Sequence, residues 1–467
     1  MSSSTIRPDH DTLAALDRAH LIHPVASWRL HERRGPLVLT GARGAWLTDS
    51  LGHELLDGFA GLWCVNVGYG QESVVQAATE QMRRLPYATG YFDFASEPAI
   101  RLAARLAEIT PASLTRAYLT LGGSEAVDAA VRFIVQYWNA VGRPAKKHFI
   151  ALERGYHGSS STGAGLTALP AFHRGFDLPL ATQHYIPSPN PYRHPQGHDP
   201  QALIAASVAA LRAKVAELGA DHVAAFFCEP IQGSGGVIVP PPGWLKAMRE
   251  TARELDILFV VDEVITGFGR TGTMFACDAE GVEPDLMTLA KGLTSGYVPM
   301  GATMLSERIY AGIADGVPEG VPIGHGATYS AHPVGAAVAL EVLRLYTEGG
   351  VLANAQRVAP YFAAGLDALR EHPLVGDARH RGLLGALELV SNKATKRGFD
   401  SGLGLPDRIF AAAYRNGVLF RCFGDGILGF APALTMVEGE FEQLFARLKK
   451  TLDEVLAAPE VRTAVVA

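Results

Sequence analysis

Two short apolar runs each end in a charged side chain, and the charges are opposite. Ile257-Leu258-Phe259-Val260-Val261 runs into Asp262, and Leu286-Met287-Thr288-Leu289-Ala290 runs into Lys291. Runs this short and this apolar read as strands of a parallel sheet buried on both faces. Ligands of open α/β sheets sit beyond the carboxyl ends of such strands, where both side chains would project. A lysine and a carboxylate placed there suit pyridoxal phosphate chemistry. The amine forms a Schiff base with the aldehyde, and the carboxylate keeps the pyridine nitrogen protonated so that the ring accepts electrons.

Neither residue makes this case alone. Asp262-Glu263 after an apolar run is also the look of a Walker B strand, but that reading needs a G-x-x-x-x-G-K-[ST] loop, and no Gly-Lys dipeptide occurs in the chain. Lys291 by itself reads as a solvated surface lysine. The pairing of the two carries the assignment.

Other segments have matching uses. Gly122-Gly123-Ser124 follows the apolar Tyr118 to Leu121 and opens a helical pattern with Val127, Val131, Ile134, Val135 and Trp138 on one face. Glycines let backbone N–H groups approach a phosphate, the helix amino terminus favours an anion, and the serine hydroxyl donates once more. A plain strand-to-helix turn capped by Ser124 fits this segment equally well. Gly155-Tyr156-His157-Gly158 offers an aromatic ring to a flat ligand, or is an ordinary turn. Gly267 to Gly272 matches G-x-G-x-x-G, yet it starts several residues past Asp262 and no helical face follows, so a dinucleotide fingerprint is excluded. H-E-x-x-H and G-x-S-x-G are both absent.

These residues need a frame of alternating strands and helices. Further short strands are expected at Phe149 to Leu152, Val223 to Cys228 and Ala302 to Leu305, which together argue for an α/β fold. Pro187 to Pro200 reads as a loop. Beyond about residue 335 the pattern turns helix-rich, with strands at Leu383 to Val390 and Val418 to Phe420. We expect an N-terminal segment 1–60 packing with a small domain, a large domain 61–335 and a C-terminal small α+β domain 336–467.

Bulk properties agree with an enzyme handling small molecules. Hydrophobic residues make up 48% of the 467, enough for a sizeable core, and a net charge of −6 gives no basic footprint for nucleic acid. Cys64, Cys228, Cys277 and Cys422 form no C-x-x-C pair or metal-ligand spacing, so a reducing cytoplasm is expected. Met1 to His23 lacks a signal-type apolar core, and no apolar run approaches a bilayer-spanning length.

The chain resembles the class III pyridoxal-phosphate aminotransferases, particularly the omega-transaminases that use amines or diamines with pyruvate. The resemblance runs from Leu21-Ile22-His23-Pro24 to the carboxyl-terminal region. It includes Gly61 to Asn66, Gly123 to Ala126, Gly155 to Gly158, Glu229 to Gly233, Asp262-Glu263-Val264, Ala290 to Leu293 and Thr328-Tyr329-Ser330. Leu289 to Met300 is especially like putrescine:pyruvate enzymes.

What the resemblance implies is a fold type I transferase, with a mostly parallel seven-stranded sheet and a smaller α+β domain, acting as a homodimer or dimer of dimers. Lys291 is then the Schiff-base lysine and Asp262 the pyridinium partner, with Tyr156 and Val264 on the two faces of the ring. Gly123 and Ser124 bind phosphate together with Thr328 of the neighbouring subunit, and His157 and Glu229 complete the cofactor set. Trp63, Tyr156, Ser234 and Ala327 line the substrate pocket with Tyr91, contributed across the interface. Arg421 takes the place of the mobile arginine that pairs with a substrate carboxylate. Ala327, where an aromatic is common, predicts a wider pocket. The implied reaction is (S)-selective, ping-pong transfer from an amine donor to a keto acid, pyruvate, without metal, membrane or nucleic acid. An omega-amino-acid transaminase of the beta-alanine type and a glutamate-semialdehyde-type aminomutase share Lys291 and Asp262 and are the alternatives.

Overall fold

The computed structural model describes residues 9–465. The first eight residues of the expected N-terminal segment, and of the Met1 to His23 stretch, lie outside them. Near the front of the chain β1 (Leu39–Arg43), β2 (Trp46–Asp49) and β3 (Glu54–Asp57) form an antiparallel meander. The large sheet follows: β4 (Leu114–Thr120), β5 (His148–Leu152), β6 (Gln183–Ile186), β7 (Val223–Cys228), β8 (Leu258–Asp262), β9 (Leu286–Leu289) and β10 (Gly301–Ser306). Last come β11 (Val375–Arg381), β12 (Leu384–Leu389), β13 (Val418–Leu419), β14 (Arg421–Cys422) and β15 (Ile427–Phe430).

The large sheet has seven strands in the order β4-β10-β9-β8-β7-β5-β6, and β10 alone runs antiparallel to its neighbours. Each residue of β7, β8, β9 and β10 is buried, as continuous apolar strands sandwiched between helices must be. The helix Gly123–Ala140 lays Val127, Val131, Ile134 and Trp138 on this sheet, and Trp138 Nε1 donates to Ala224 O (3.1 Å), tying the helix to β7. Burial of each such side chain contributes about 1.5–3 kcal/mol. The irregular stretch from Pro187 ends at Asp199, whose carboxylate caps the helix Pro200–Leu218.

The carboxyl-terminal elements build another, antiparallel sheet in the order β11-β12-β15-β14, covered by the helix Val351–Ala368, on which the helix Glu438–Ala457 packs. The helix Pro333–Thr347 packs instead on Glu72–Arg84 and Glu97–Ile109. The strand expected at Val418 to Phe420 is shorter than that. β13 joins β3 in parallel, the chain breaks at buried Phe420, and β14 then pairs with β15 of the other sheet. Phe420 is held against Phe430 (ring centroids 5.3 Å), so the change of sheet is a packing decision, and Arg421 comes to line a cavity with residues from the loops of the large sheet.

Candidate active site

Five loops leave the carboxyl edge of the large sheet side by side, after β4, β5, β7, β8 and β9. Each carries residues singled out above: Gly122 to Ser124, Gly155 to Gly158, Glu229, Asp262 and Lys291. Asp262 pairs in register with Thr288, so Lys291 stands three residues beyond the matching point of the adjacent strand. Neighbouring strands lie about 4.8 Å apart, close enough to set both side chains into one cavity. Lys291 takes a left-handed conformation (φ 44°) that costs a non-glycine residue about 1–3 kcal/mol and that the surrounding fold must impose.

The cavity measures about 960 Å³. Its wall includes Trp63, Gly123, Ser124, Tyr156, His157, Glu229, Ser234, Asp262, Val264, Lys291 and Arg421, so all of these expected residues come together. Tyr91, Ala327 and Thr328 do not. They share a neighbouring surface, where the Tyr91 ring lies against Gly326 and Tyr87 OH donates to Thr328 O (3.0 Å).

Asp262 is nearly fully buried. His157 Nδ1–H donates to its Oδ2 (2.9 Å), and the Val264 N–H to its Oδ1 (3.1 Å). A carboxylate offers about four lone-pair positions, so acceptor capacity is left for a ligand. Desolvation works to lower the His157 pKa, but the hydrogen bond and charge of Asp262, helped by Glu229, raise it above the ordinary value. Glu229 accepts from Tyr156 N–H and Gly233 N–H (both 2.9 Å), and burial pushes its pKa up to about 7. Desolvation lowers the Lys291 amine below the usual lysine range, against the pull of Asp262. A lysine so shifted spends more of its time as a free base.

Pyridoxal phosphate fits what is built here. A Cβ on Gly123 would stand 3.2 Å from Val264 Cγ1, and one on Gly158 (φ 103°) only 2.7 Å from Ser124 Oγ, so both positions are tight enough to need glycine. Ser124 Oγ accepts from Ser159 N–H (3.1 Å), which folds the second glycine loop over the first. Together they leave the first turn of an 18-residue helix open to an anion. Tyr156 and Val264 both face the space between this turn and Asp262.

Four contributors escaped sequence reasoning as site residues. Arg154, in the loop after β5, lines the cavity, donates to Gly235 O (2.8 Å) and pairs with Asp425 (2.6 Å). Its position just before Gly155-Tyr156 was the available signal. Asp57 accepts from Phe59 N–H (3.1 Å), Gly61 N–H (2.7 Å) and Tyr69 OH (2.7 Å), and so shapes the strained loop, with Trp63 at φ 61°, that delivers Trp63. Pro24 and Val25 reach the cavity from the N-terminal segment. Arg421, by contrast, has no ion pair among the described residues and rests over the Phe423 ring (5.3 Å).

Comparison with known proteins agrees with this geometry. The family model described as aminotransferase class III matches residues 30–452. The putrescine–pyruvate aminotransferase of Pseudomonas aeruginosa is 41% identical over 446 residues, covering 95% of this chain and 96% of that protein. The diaminobutyrate–2-oxoglutarate transaminase of Halomonas elongata is 36% identical over 455 residues, covering 96% and 97%. A thermostable (S)-enantioselective omega-transaminase from Thermomicrobium roseum superposes with a TM-score of 0.93 at 38% identity, covering 96% of this chain and 99% of that one.

Proposed function

Because the chain belongs to the class III aminotransferases, enzymes of fold type I that use pyridoxal 5'-phosphate, we propose that it moves an amino group from a primary amine or diamine to pyruvate. The observation that carries this reading is the meeting of Lys291, Asp262 and an unpaired Arg421 around one cavity. When bound, the cofactor supplies an aldehyde to the amine and an electron-accepting ring. Gly123 and Ser124, at the helix amino terminus, would hold its phosphate, and Tyr156 and Val264 would contact its ring. Asp262 keeps the ring nitrogen cationic by its charge, and His157 fixes that carboxylate's orientation. Lys291 would be the residue that holds the aldehyde, and its amine, whose pKa burial lowers, is the group placed to take a proton from the substrate carbon. Trp63 and Ser234 bound the substrate side, and an (S) preference is part of this reading, supported by the likeness to the (S)-enantioselective enzyme of Thermomicrobium roseum.

Arg421 receives the keto-acid carboxylate. A second acceptor class has its own support, since Arg154 gives the cavity another guanidinium and the Halomonas elongata relative is named for 2-oxoglutarate. The deciding measurement is a panel of amines, diamines and beta-alanine against pyruvate and 2-oxoglutarate, with each half-reaction followed by cofactor absorbance. Fast reaction of diamines with pyruvate supports the reading; reaction confined to omega-amino acids or 2-oxoglutarate overturns it. In the same assay Arg421→Ala should weaken alanine and pyruvate by about 10- to 150-fold, the worth of a charge-assisted pair at roughly 1.5–3 kcal/mol, and spare a simple monoamine. Equal losses for both would remove Arg421 from this role.

The working unit in this reading is a homodimer. Tyr91 and Thr328 sit beside exposed Tyr87, Phe92, Phe94 and Tyr329, with Phe92 85% exposed, and an apolar patch of that kind calls for a covering partner. A second copy placed there brings Tyr91, Ala327 and Thr328 to the other copy's cavity, and a particle of twice the 49.7 kDa chain mass is expected in solution. Ala327→Phe should then cost bulky aryl-alkyl amines about 1–3 kcal/mol in catalytic efficiency by overpacking, with short aliphatic amines unaffected. An unchanged ratio of the two efficiencies would mean that Ala327 does not limit the pocket. A cytoplasmic setting is part of the same reading, supported by four cysteines that are all free. Among the described residues no helix is long and apolar enough to cross a membrane.

A further inference from the structure

The N-terminal segment carries a cluster of donors that the transamination site does not use. Asp17 lies on the helix His10–His20, His23 in the turn after it, and His31 on the helix Trp28–Arg34. Asp17 Oδ2 takes His23 Nε2 at 2.7 Å and its Oδ1 takes His31 Nε2 at 2.6 Å. The two imidazole rings are stacked at a tilt, 4.1 Å between centroids, and one donor atom from each of the three residues falls within 4.8 Å of the others. Asp17 and His31 are mostly buried, while His23 keeps one side toward solvent, with side-chain exposures of 12%, 17% and 31%.

We propose that Asp17, His23 and His31 bind one divalent transition-metal ion of the zinc type, and that this ion pins the turn which brings Pro24 and Val25 to the active-site cavity. Two imidazole nitrogens and one carboxylate oxygen are the borderline donor set that zinc accepts, and the exposed side of His23 leaves a fourth position for water. Donors around a tetrahedral zinc stand about 3.3 Å apart, given bond lengths of about 2.0–2.2 Å. The two present contacts are shorter than that. An ion therefore takes the place of the two bridging protons, widening those two contacts, while the three donors, within 4.8 Å of one another, settle around it by side-chain rotation.

The neighbouring backbone supplies a reason for the ion to matter. Val25, two residues after His23, has φ 51°, a left-handed conformation that is a genuine outlier for a β-branched residue. The Val25 side chain is mostly exposed, so its own burial does little to hold that conformation. Pro24 and Val25 nonetheless form part of the cavity wall. Clamping His23 to both flanking helices would offset the strain and fix the wall in place.

The test uses untagged holoenzyme, incubated with zinc chloride, dialysed against metal-free buffer and measured by elemental analysis, with a chromogenic chelator for affinity. About one zinc per chain is expected. Asp17→Asn and His31→Gln should each weaken binding by more than the roughly 10- to 100-fold that loss of a mere outer-shell partner costs, with cofactor absorbance unchanged. Zinc should also slow proteolysis between residues 21 and 35 in the parent protein and not in the variants. Parent enzyme that keeps no zinc after dialysis, or variants that keep as much as the parent, would overturn the proposal and leave the cluster as a hydrogen-bonded staple between two helices.

Discussion

Lys291→Ala is expected to abolish turnover while the protein stays folded and still takes up pyridoxal phosphate. The fold tolerates the change because alanine removes the desolvated amine and keeps the same Cβ that the surrounding fold already holds at φ 44°. Cofactor uptake persists because Gly123, Ser124, Tyr156, Val264 and Asp262 form their share of the wall independently of the lysine. What disappears is the amine that holds the aldehyde and afterwards moves the substrate proton, and no other lysine lines the cavity. Loss of general base and nucleophile together should exceed about four orders of magnitude, or about 5.5 kcal/mol in the barrier. Single-turnover absorbance with a saturating amine measures this. Near-normal turnover would end the assignment, and partial rescue by added methylamine would identify the missing group as an amine.

Asp262→Asn should lower the rate of each half-reaction by about a thousandfold, about 4 kcal/mol, with little change in structure. Asparagine keeps an oxygen for the Val264 N–H and fills the same space between β8 and the cavity. It lacks the charge that favours a protonated ring nitrogen, and the buried setting gives that charge little screening. The substitution has a second, independent readout in His157. The Asp262 contact is what lifts the His157 pKa against desolvation, so removing the negative charge should drop that pKa, as measured by imidazole resonances across a pH titration. A rate change below tenfold, about 1.4 kcal/mol, would show that Asp262 is not the electron-sink partner.

The chemistry-bearing pair was legible because its signal is local. A buried parallel strand must be continuously apolar, so a charge at its end stands out, and Asp262 and Lys291 each close such a run. Gly122 to Ser124 was legible by the same logic of a strand handing over to an amphipathic helix. The same locality excluded Gly267 to Gly272 as a nucleotide loop. There the chain forms turns with no α-helix after them, and Arg270 within it is wholly buried, donating to Asn66 Oδ1 (2.7 Å) and to the carbonyls of Leu383 and Pro432.

By itself, then, the sequence determined which strands end in reactive groups, that the sheet is mostly parallel, and that the pair suits pyridoxal phosphate, since these follow from short-range patterns of polarity; amino transfer came from the resemblance of its short motifs to the class III aminotransferases. The tertiary structure decided the rest. Nothing near position 154 announces that its guanidinium meets Asp425, 271 residues away, or that His157 meets Asp262 across 105 residues. The turn at Phe420 could not be read as a change of sheet, because both sheets accept apolar residues there and only packing against Phe430 chooses between them. Asp17, His23 and His31 look like scattered polar residues until two helices fold them onto one point. Hydrophobic periodicity reports which face of an element is buried, whereas contacts between distant polar side chains depend on how the elements are finally set against each other, and that is settled by the whole core at once.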